Sequence, residues 1–289
     1  MSDNSQGATP VHLIPEQDFE TWIAGAPAHV RAWAAANGFK GAAGKHLAVP
    51  DEAGGLGSVL VGLSNPASLW DTGALAKALP VGDYVLVGDL DRGIAEAAVL
   101  GWRLGMYEFD RYKSPASDAA RLAVPDGVDS GRVDALADAT MLVRDLINTP
   151  ANDLGPTALA DAARQLAEKF DAEYGVTVGE DLLTDNYPAI HAVGRAAHDA
   201  PRLIEMTWGD PSHPTVALVG KGVCFDSGGL DIKPASGMKL MKKDMGGSAH
   251  VLGLAHYVMA MGLKVHLKVL IPAVENAISG NAMRPLDRK

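Results

Sequence analysis

Val219-Gly-Lys-Gly-Val-Cys-Phe-Asp-Ser-Gly-Gly-Leu-Asp-Ile-Lys-Pro234, followed by Met241-Lys-Lys-Asp-Met-Gly-Gly247, sets Lys221, Asp226, Lys233 and Asp244 among glycine turns. Thr215 to Val219 just before it is a short apolar, partly β-branched run. It reads as a buried strand, which places Lys221 and Asp226 at and just beyond its carboxyl end. That rim is where open α/β sheets carry their sites. Glycines 220, 222, 228 and 229 are expected to let the backbone take positive φ angles and approach a ligand closely, in a tight, specifically shaped loop.

Asp226 and Asp244 offer hard oxygen ligands, and paired carboxylates near lysines suit one or two divalent cations such as Mg, Mn or Zn. The residues do not choose among these metals. A lysine can join such a set only as the neutral amine, and moving any lysine from about 10.4 to below 7 takes about 5 kcal/mol of bias. If Lys221 is a ligand, the metal supplies that bias. Lys233 follows Asp231 on a polar loop and could stay an ammonium, polarising a substrate carbonyl. Taken singly, Gly-Lys-Gly or Asp-Met-Gly-Gly is no more than a turn or a helix start.

The joint spacing resembles the leucyl (cytosol) aminopeptidase family: a lysine, an aspartate five residues on, a lysine seven further and a second aspartate eleven beyond that. Leu142-Val-Arg-Asp-Leu-Ile-Asn-Thr-Pro-Ala-Asn-Asp-Leu-Gly-Pro156 resembles the family's interdomain segment. Pro272-Ala-Val-Glu-Asn-Ala-Ile-Ser-Gly280 with Arg284-Pro285 resembles its next strand and loop. The likeness is strong from Leu142 to Pro285 and covers residues before it only in general organisation.

The resemblance implies a dinuclear metallo-aminopeptidase that releases amino-terminal residues from peptides or amino-acid amides by two-metal activation of water. It implies Lys221 as ligand to one metal, Asp226 as bridge between two, Asp244 as completing the first site, and Lys233 as the catalytic lysine. Met241 matches the position that lines the pocket for the substrate's amino-terminal side chain, although a core methionine fits it equally. Two divalent ions, Zn or Mn with Mg possible, and a homo-oligomer, a hexamer in the family, are implied in the same way.

One family element has no match here. An Asp-x-Glu-x-Arg stretch, which supplies two further ligands and an arginine, does not occur between Asp244 and Lys289. Asp287 stands in Leu-Asp-Arg-Lys and Glu275 belongs to another motif. With only Asp226 and Asp244 assigned, the expectation is an incomplete site. The chain is then a fragment, is complemented from elsewhere, or has lost activity. A non-catalytic binding or structural member is accordingly the rival reading, and a dinuclear phosphoesterase a second, disfavoured because a lysine ligand is unusual there.

The rest of the chain narrows the class. The 289 residues allow one to two domains with a large core. Net charge of −10, from 35 acids against 25 bases, disfavours nonspecific nucleic-acid binding. The single cysteine, Cys224, reads as a small buried hydrophobe with no histidine nearby. Met1 to Pro10 lacks a charged start followed by an apolar run, and no stretch approaches a spanning helix, so a cytoplasmic protein without membrane attachment is expected.

A phosphate-binding loop is excluded at Gly220-Lys221 because Gly222 follows the lysine. A nucleophile elbow at Ser227 lacks its glycine two before. His250 and His256 are six apart with no glutamate after the first, so they are no zincin helix and read as surface or interface residues. Asn148 and Asn152 are expected to hold turns.

The alternation is α/β. Strands are expected at His46–Val49, Ser58–Leu63, Tyr84–Val87, Thr215–Gly220 and Leu263–Ile271. Helices are expected at Phe19–Asn37, Ser68–Leu79, Gly93–Met106, Gly131–Ile147, Pro156–Phe170 and Gly246–Met261. Ser114 to Ser130 suits a linker. This predicts a small amino-terminal α/β domain with linker over 1–127. An α/β/α catalytic domain with a mixed, largely parallel central sheet follows over 128–289, incomplete at its carboxyl end. Asp244 falls just before a helix amino terminus, where the dipole favours a carboxylate.

Overall fold

The computed structural model describes residues 7–114 and 119–288. Backbone packing divides the chain into units 1–137 and 138–289. Most of the Met1–Pro10 reading lies outside the described residues, as do residues 115–118 of the expected linker.

The first unit is built on a five-stranded sheet in the order β2-β3-β1-β4-β5, from β1 (Thr9–Pro15), β2 (His46–Pro50), β3 (Leu56–Leu63), β4 (Gly82–Val87) and β5 (Ala120–Leu122). All neighbours are parallel except the β2–β3 hairpin. Strand β5 lies within the stretch expected to be a plain linker, because its backbone finds ladder partners on β4. The single expected helix over Phe19–Asn37 is two, α1 (Phe19–Gly25) and α2 (Ala28–Ala36). Pro27 accounts for the break, since it lacks an amide hydrogen and drives Ala26 into extended conformation, ψ 158°.

Ser68–Leu79 likewise forms two short helices, α3 (Trp70–Gly73) and α4 (Leu75–Ala78). Then α5 (Arg92–Gly105) starts at an Asp91 cap whose carboxylate accepts from the Gly93 and Ile94 amides. One core gathers Val11, Val59, Val61, Tyr84 and Trp102; a second, with Ile14, Phe19, Val30 and Leu60, fills the opposite face of the strands. The alternation Leu13, Ile14 and Leu60, Val61 supplies both faces, as a doubly covered sheet requires.

Helix α6 (Ser130–Asn148) contains the boundary. The second unit continues with α7 (Pro156–Lys169), β6 (Glu173–Val178), α8 (Asp181–Thr184), α9 (Pro188–Gly194), β7 (Arg202–Trp208), β8 (Thr215–Val219), β9 (Gly222–Asp226), α10 (Ala235–Met238), α11 (Gly246–Ala260) and β10 (His266–Asn276). Its mixed sheet runs β6-β7-β10-β8, with β9 also on β10. Strand β10 is antiparallel to β7 and parallel to β8 and β9. The strand-helix-strand succession of β8, α11 and β10 thus closes on a parallel pair, as the sequence implies.

Three readings are corrected here. Thr215–Val219 forms a strand but a largely exposed one, with Val219 69% accessible, because it is the outer neighbour of β10. Residues 222 to 226, placed by the sequence just beyond the carboxyl end of that strand, form a strand of their own. His256 is buried, its Nε2 3.1 Å from Lys169 Nζ and its ring edge-on to Phe170, so it is no surface histidine. Among the described residues no helix is long and apolar enough to cross a membrane.

Candidate metal centre

The site grows from an interrupted strand. β8 pairs with β10 from His266 to Leu270, and β9 resumes on the same strand from Ala273 to Asn276. The Gly220 amide donates to the Leu270 carbonyl across the gap, and the Lys221 carbonyl accepts from the Ser248 amide in the first turn of α11. A Cβ on Gly220 would stand 2.7 Å from the Ser248 Cα, so only glycine allows the helix start to abut the strand break. Its φ is not positive, so the expected left-handed backbone is not found here; what the glycine admits is the start of α11. Lys221 is left at the rim with an exposed side chain.

Asp226 ends β9. The loop after it turns through Gly228 (φ 90°) and Gly229 (φ 69°), and closes when the Lys233 amide donates to the Ser227 carbonyl. This closure returns the Lys233 ammonium to 3.0 Å from Asp226 Oδ2. Asp226 Oδ1 accepts from the Gly228 amide at 2.9 Å and from Asn276 Nδ2 at 2.8 Å. Burial alone would raise the Asp226 carboxyl; hydrogen bonds from Lys233, the Gly228 amide and Asn276, with the Lys233 charge, outweigh it and hold the group below its usual range. Lys233 is pushed up by its hydrogen bond to Asp226 and that residue's charge, and it also feels Asp244.

Asp244 follows a 3-10 turn, Met241–Lys243, and precedes α11. Lys221 Nζ lies 2.8 Å from Asp244 Oδ2, yet that oxygen is buried with no hydrogen-bond partner: the ammonium is near but outside hydrogen-bonding direction. A buried carboxylate oxygen with no hydrogen bond beside an amine, and a lysine that feels both Asp226 and Asp244, is a donor set that a divalent cation fits. Lys221 with Asp244, and Lys233 with Asp226, thus form two carboxylate–lysine pairs, linked by the Asp244 charge that Lys233 feels. Met241 is half-buried at the start of the turn before Asp244, and that turn packs against β9.

Among the described residues no group of three or more His, Cys, Asp or Glu is gathered for a metal. The donors here are two carboxylates and lysine amines. A concavity of about 620 Å³ lies in the first unit, lined by His12, Trp22, His29 and Glu52, whereas the one beside the Asp226 loop holds about 160 Å³ between Phe225, Ile232, Met238 and Met283. Charge arrangement, not cavity size, marks the centre.

Several partners escaped the sequence reading. Asn276, 50 positions after Asp226, stood within the Pro272–Gly280 stretch that resembles the family but had no assigned role. Lys242 donates to the Asn148 carbonyl, and burial pushes its ammonium down. Asn152 does not hold a local turn as expected: its amide group exchanges hydrogen bonds with the Arg288 backbone, and its own N–H donates to Asp287. Arg284 binds both oxygens of Glu275, at 2.7 and 2.8 Å, and reaches Asp287 through Nε. Cys224 is buried, and desolvation, then the Asp199 and Glu275 charges, push its thiol up, which suits the inert role expected.

A mixed sheet flanked by helices, with carboxylates and lysines paired at strand ends, defines an α/β protein with a charged rim. Residues 141–287 match the catalytic domain of the cytosol aminopeptidase family, and residues 9–125 match the N-terminal domain of M17 aminopeptidases. The chain belongs to this family, as its sequence resemblance indicated.

It is 40% identical over 209 residues to a probable cytosol aminopeptidase of Roseiflexus castenholzii, covering 67% of this chain and 43% of that protein. It is 35% identical over 271 residues to one of Corynebacterium efficiens, covering 86% and 53%. The crystal structure of the Coxiella burnetii cytosol aminopeptidase superposes with a TM-score of 0.90 at 43% identity, over 99% of this chain and 63% of that one. The bottromycin maturation enzyme BotP, solved in complex with Mn, superposes at 0.79 and 32% identity, over 96% and 61%. The chain spans about half the length of the curated relatives it matches.

Proposed function

We propose that the chain is an aminopeptidase whose chemistry is centred on Lys221, Asp226, Lys233 and Asp244, acting on peptides or amino-acid amides with a free amino terminus. The observation that carries the reading is a carboxylate–lysine pair at each end of β9, Lys221–Asp244 at its start and Lys233–Asp226 at its finish, with the Asp244 charge also felt by Lys233. Asp226 and Asp244, with Lys221 as the neutral amine, would hold divalent cations, Mn or Zn with Mg possible and two in number by family likeness. When bound, these supply Lewis-acid polarisation of the scissile carbonyl and a more acidic water.

The remaining work falls to the chain. Lys221 would join the ligands only as the neutral amine, its proton passing to solvent water. Lys233 keeps its proton through neutral pH, because Asp226 holds it, and donates to the oxygen where negative charge develops. Met241 supplies adaptable apolar surface for the substrate's first side chain. A cytoplasmic, hexameric enzyme is the setting that the family likeness supports.

A non-catalytic member is the second reading. It is favoured by the small number of acidic and histidine donors gathered among the described residues. Incubation with leucine p-nitroanilide plus Mn²⁺ or Zn²⁺ separates the two. Turnover that Lys233→Ala removes supports the aminopeptidase; metal binding without turnover supports the rival. Hydrolysis of p-nitrophenyl phosphate and not the anilide would instead indicate a phosphoesterase.

A further inference from the structure

The β9–β10 ladder contains an irregularity that decides which side chain faces Asp226. Val274 pairs with Val223, but Glu275 pairs with Phe225 and Asn276 with Asp226, so Cys224 is an extra residue on β9. Without it, Asn276 would stand opposite Phe225. A one-residue slip moves side chains to the other face of a strand, and bulges re-aim them in this way. The bulge brings Asn276 alongside the Asp226 carboxylate.

The contacts made there are directional. Asn276 Nδ2 donates to Asp226 Oδ1 at 2.8 Å, and the Gly228 amide donates to the same oxygen at 2.9 Å. The Asn276 main-chain carbonyl accepts from the Ser227 amide at 3.0 Å and from Ser227 Oγ at 2.7 Å. One residue therefore holds both the carboxylate and the residue after it. Both donors fall on Oδ1, while Oδ2 faces Lys233. A side chain fixed through one oxygen presents the other in a single direction, which is how partners behind a metal ligand tune affinity.

We propose that Asn276 is a positioning residue that aims the Asp226 carboxylate at the cation through the Nδ2–Oδ1 hydrogen bond. The inference rests on the metal reading of Asp226 and Asp244. A purely structural asparagine would matter only for stability. A positioning one matters for cation affinity at unchanged stability.

The test is calorimetric titration of the 289-residue chain with Mn²⁺ alone, paired with its melting temperature in chelator, for the parent, Asp226→Asn, Asn276→Leu and Asn276→Ser. The expected result is Mn²⁺ binding by the parent, loss in Asp226→Asn, and affinity weakened about 10- to 100-fold in both Asn276 variants with nearly parental melting in chelator. Should the leucine variant fail to fold, the smaller, polar serine gives the same reading. Parental affinity in the Asn276 variants, with binding still lost in Asp226→Asn, overturns the inference and spares the metal reading. A parent that binds no Mn²⁺ overturns both.

Discussion

Lys233 returns over a glycine loop to stand 3.0 Å from Oδ2 of Asp226, so the candidate electrophile and the candidate bridging ligand share one ion pair. The pairing keeps the lysine charged and the carboxylate ionised at once. Lys233→Ala is expected to cut the turnover of leucine p-nitroanilide roughly 100- to 1,000-fold, as removal of one donor to a developing oxyanion does elsewhere. Mn²⁺ affinity should not fall, since no ligand is lost. Steady-state kinetics beside a metal titration check both halves.

Arg284 and Glu275 form a bidentate pair in which Glu275 is 8% accessible and the arginine side chain 20%. Arg284→Leu leaves a buried carboxylate without its partner, and should cost about 2–3 kcal/mol, below the full range for a deeply buried pair because the arginine is partly solvated. Urea denaturation measures it. Glu275→Leu combined with Arg284→Leu should recover only part of the loss, because the Glu275 charge is gone but Asp287 still lacks the Arg284 guanidinium.

His12 in β1 packs against Trp22, ring centroids 5.1 Å apart, and burial lowers its pKa from the ordinary 6.5. The unfolded chain thus binds the proton more readily than the fold. This contribution is intact above pH 6.5 and is lost as pH falls through the lower folded value. His46 is shifted the same way by burial. Melting curves between pH 7 and pH 5 should therefore show destabilisation towards acid, with a shallower slope in His12→Phe.

Cys224 is the extra residue of the β9 bulge, fully enclosed, with its thiol pushed up by burial. A thiol-specific reagent such as DTNB should titrate no sulfur in the native chain and one per chain after denaturation, since this is the single cysteine. Rapid native labelling would contradict the packing of β9 against the core.

The centre was legible in the sequence wherever the signal was local. Lys221, Asp226, Lys233 and Asp244 announce themselves by spacing, and Gly228 with Gly229 by the turn they must make. Strand β9 was not legible, because five residues beginning with glycine read as loop and their pairing depends on β10, some fifty positions later. Asn276 was hidden for the same reason: its role exists only through a register irregularity that no periodicity records. His256 was misread because its burial comes from Lys169 and Phe170 of a different helix end. The break at Pro27 had a local cause that a strict reading of proline supplies. Local chemistry travels with the chain, whereas partners across a sheet do not.

The most direct measurement is anomalous diffraction from a crystal of the chain grown with Mn²⁺. The account predicts a peak within roughly 2.1–2.4 Å of carboxylate oxygens of both Asp226 and Asp244, with the Lys221 amine turned onto it. Absence of any peak there, with Lys221 still paired to Asp244 and Lys233 to Asp226 at saturating metal, would contradict it.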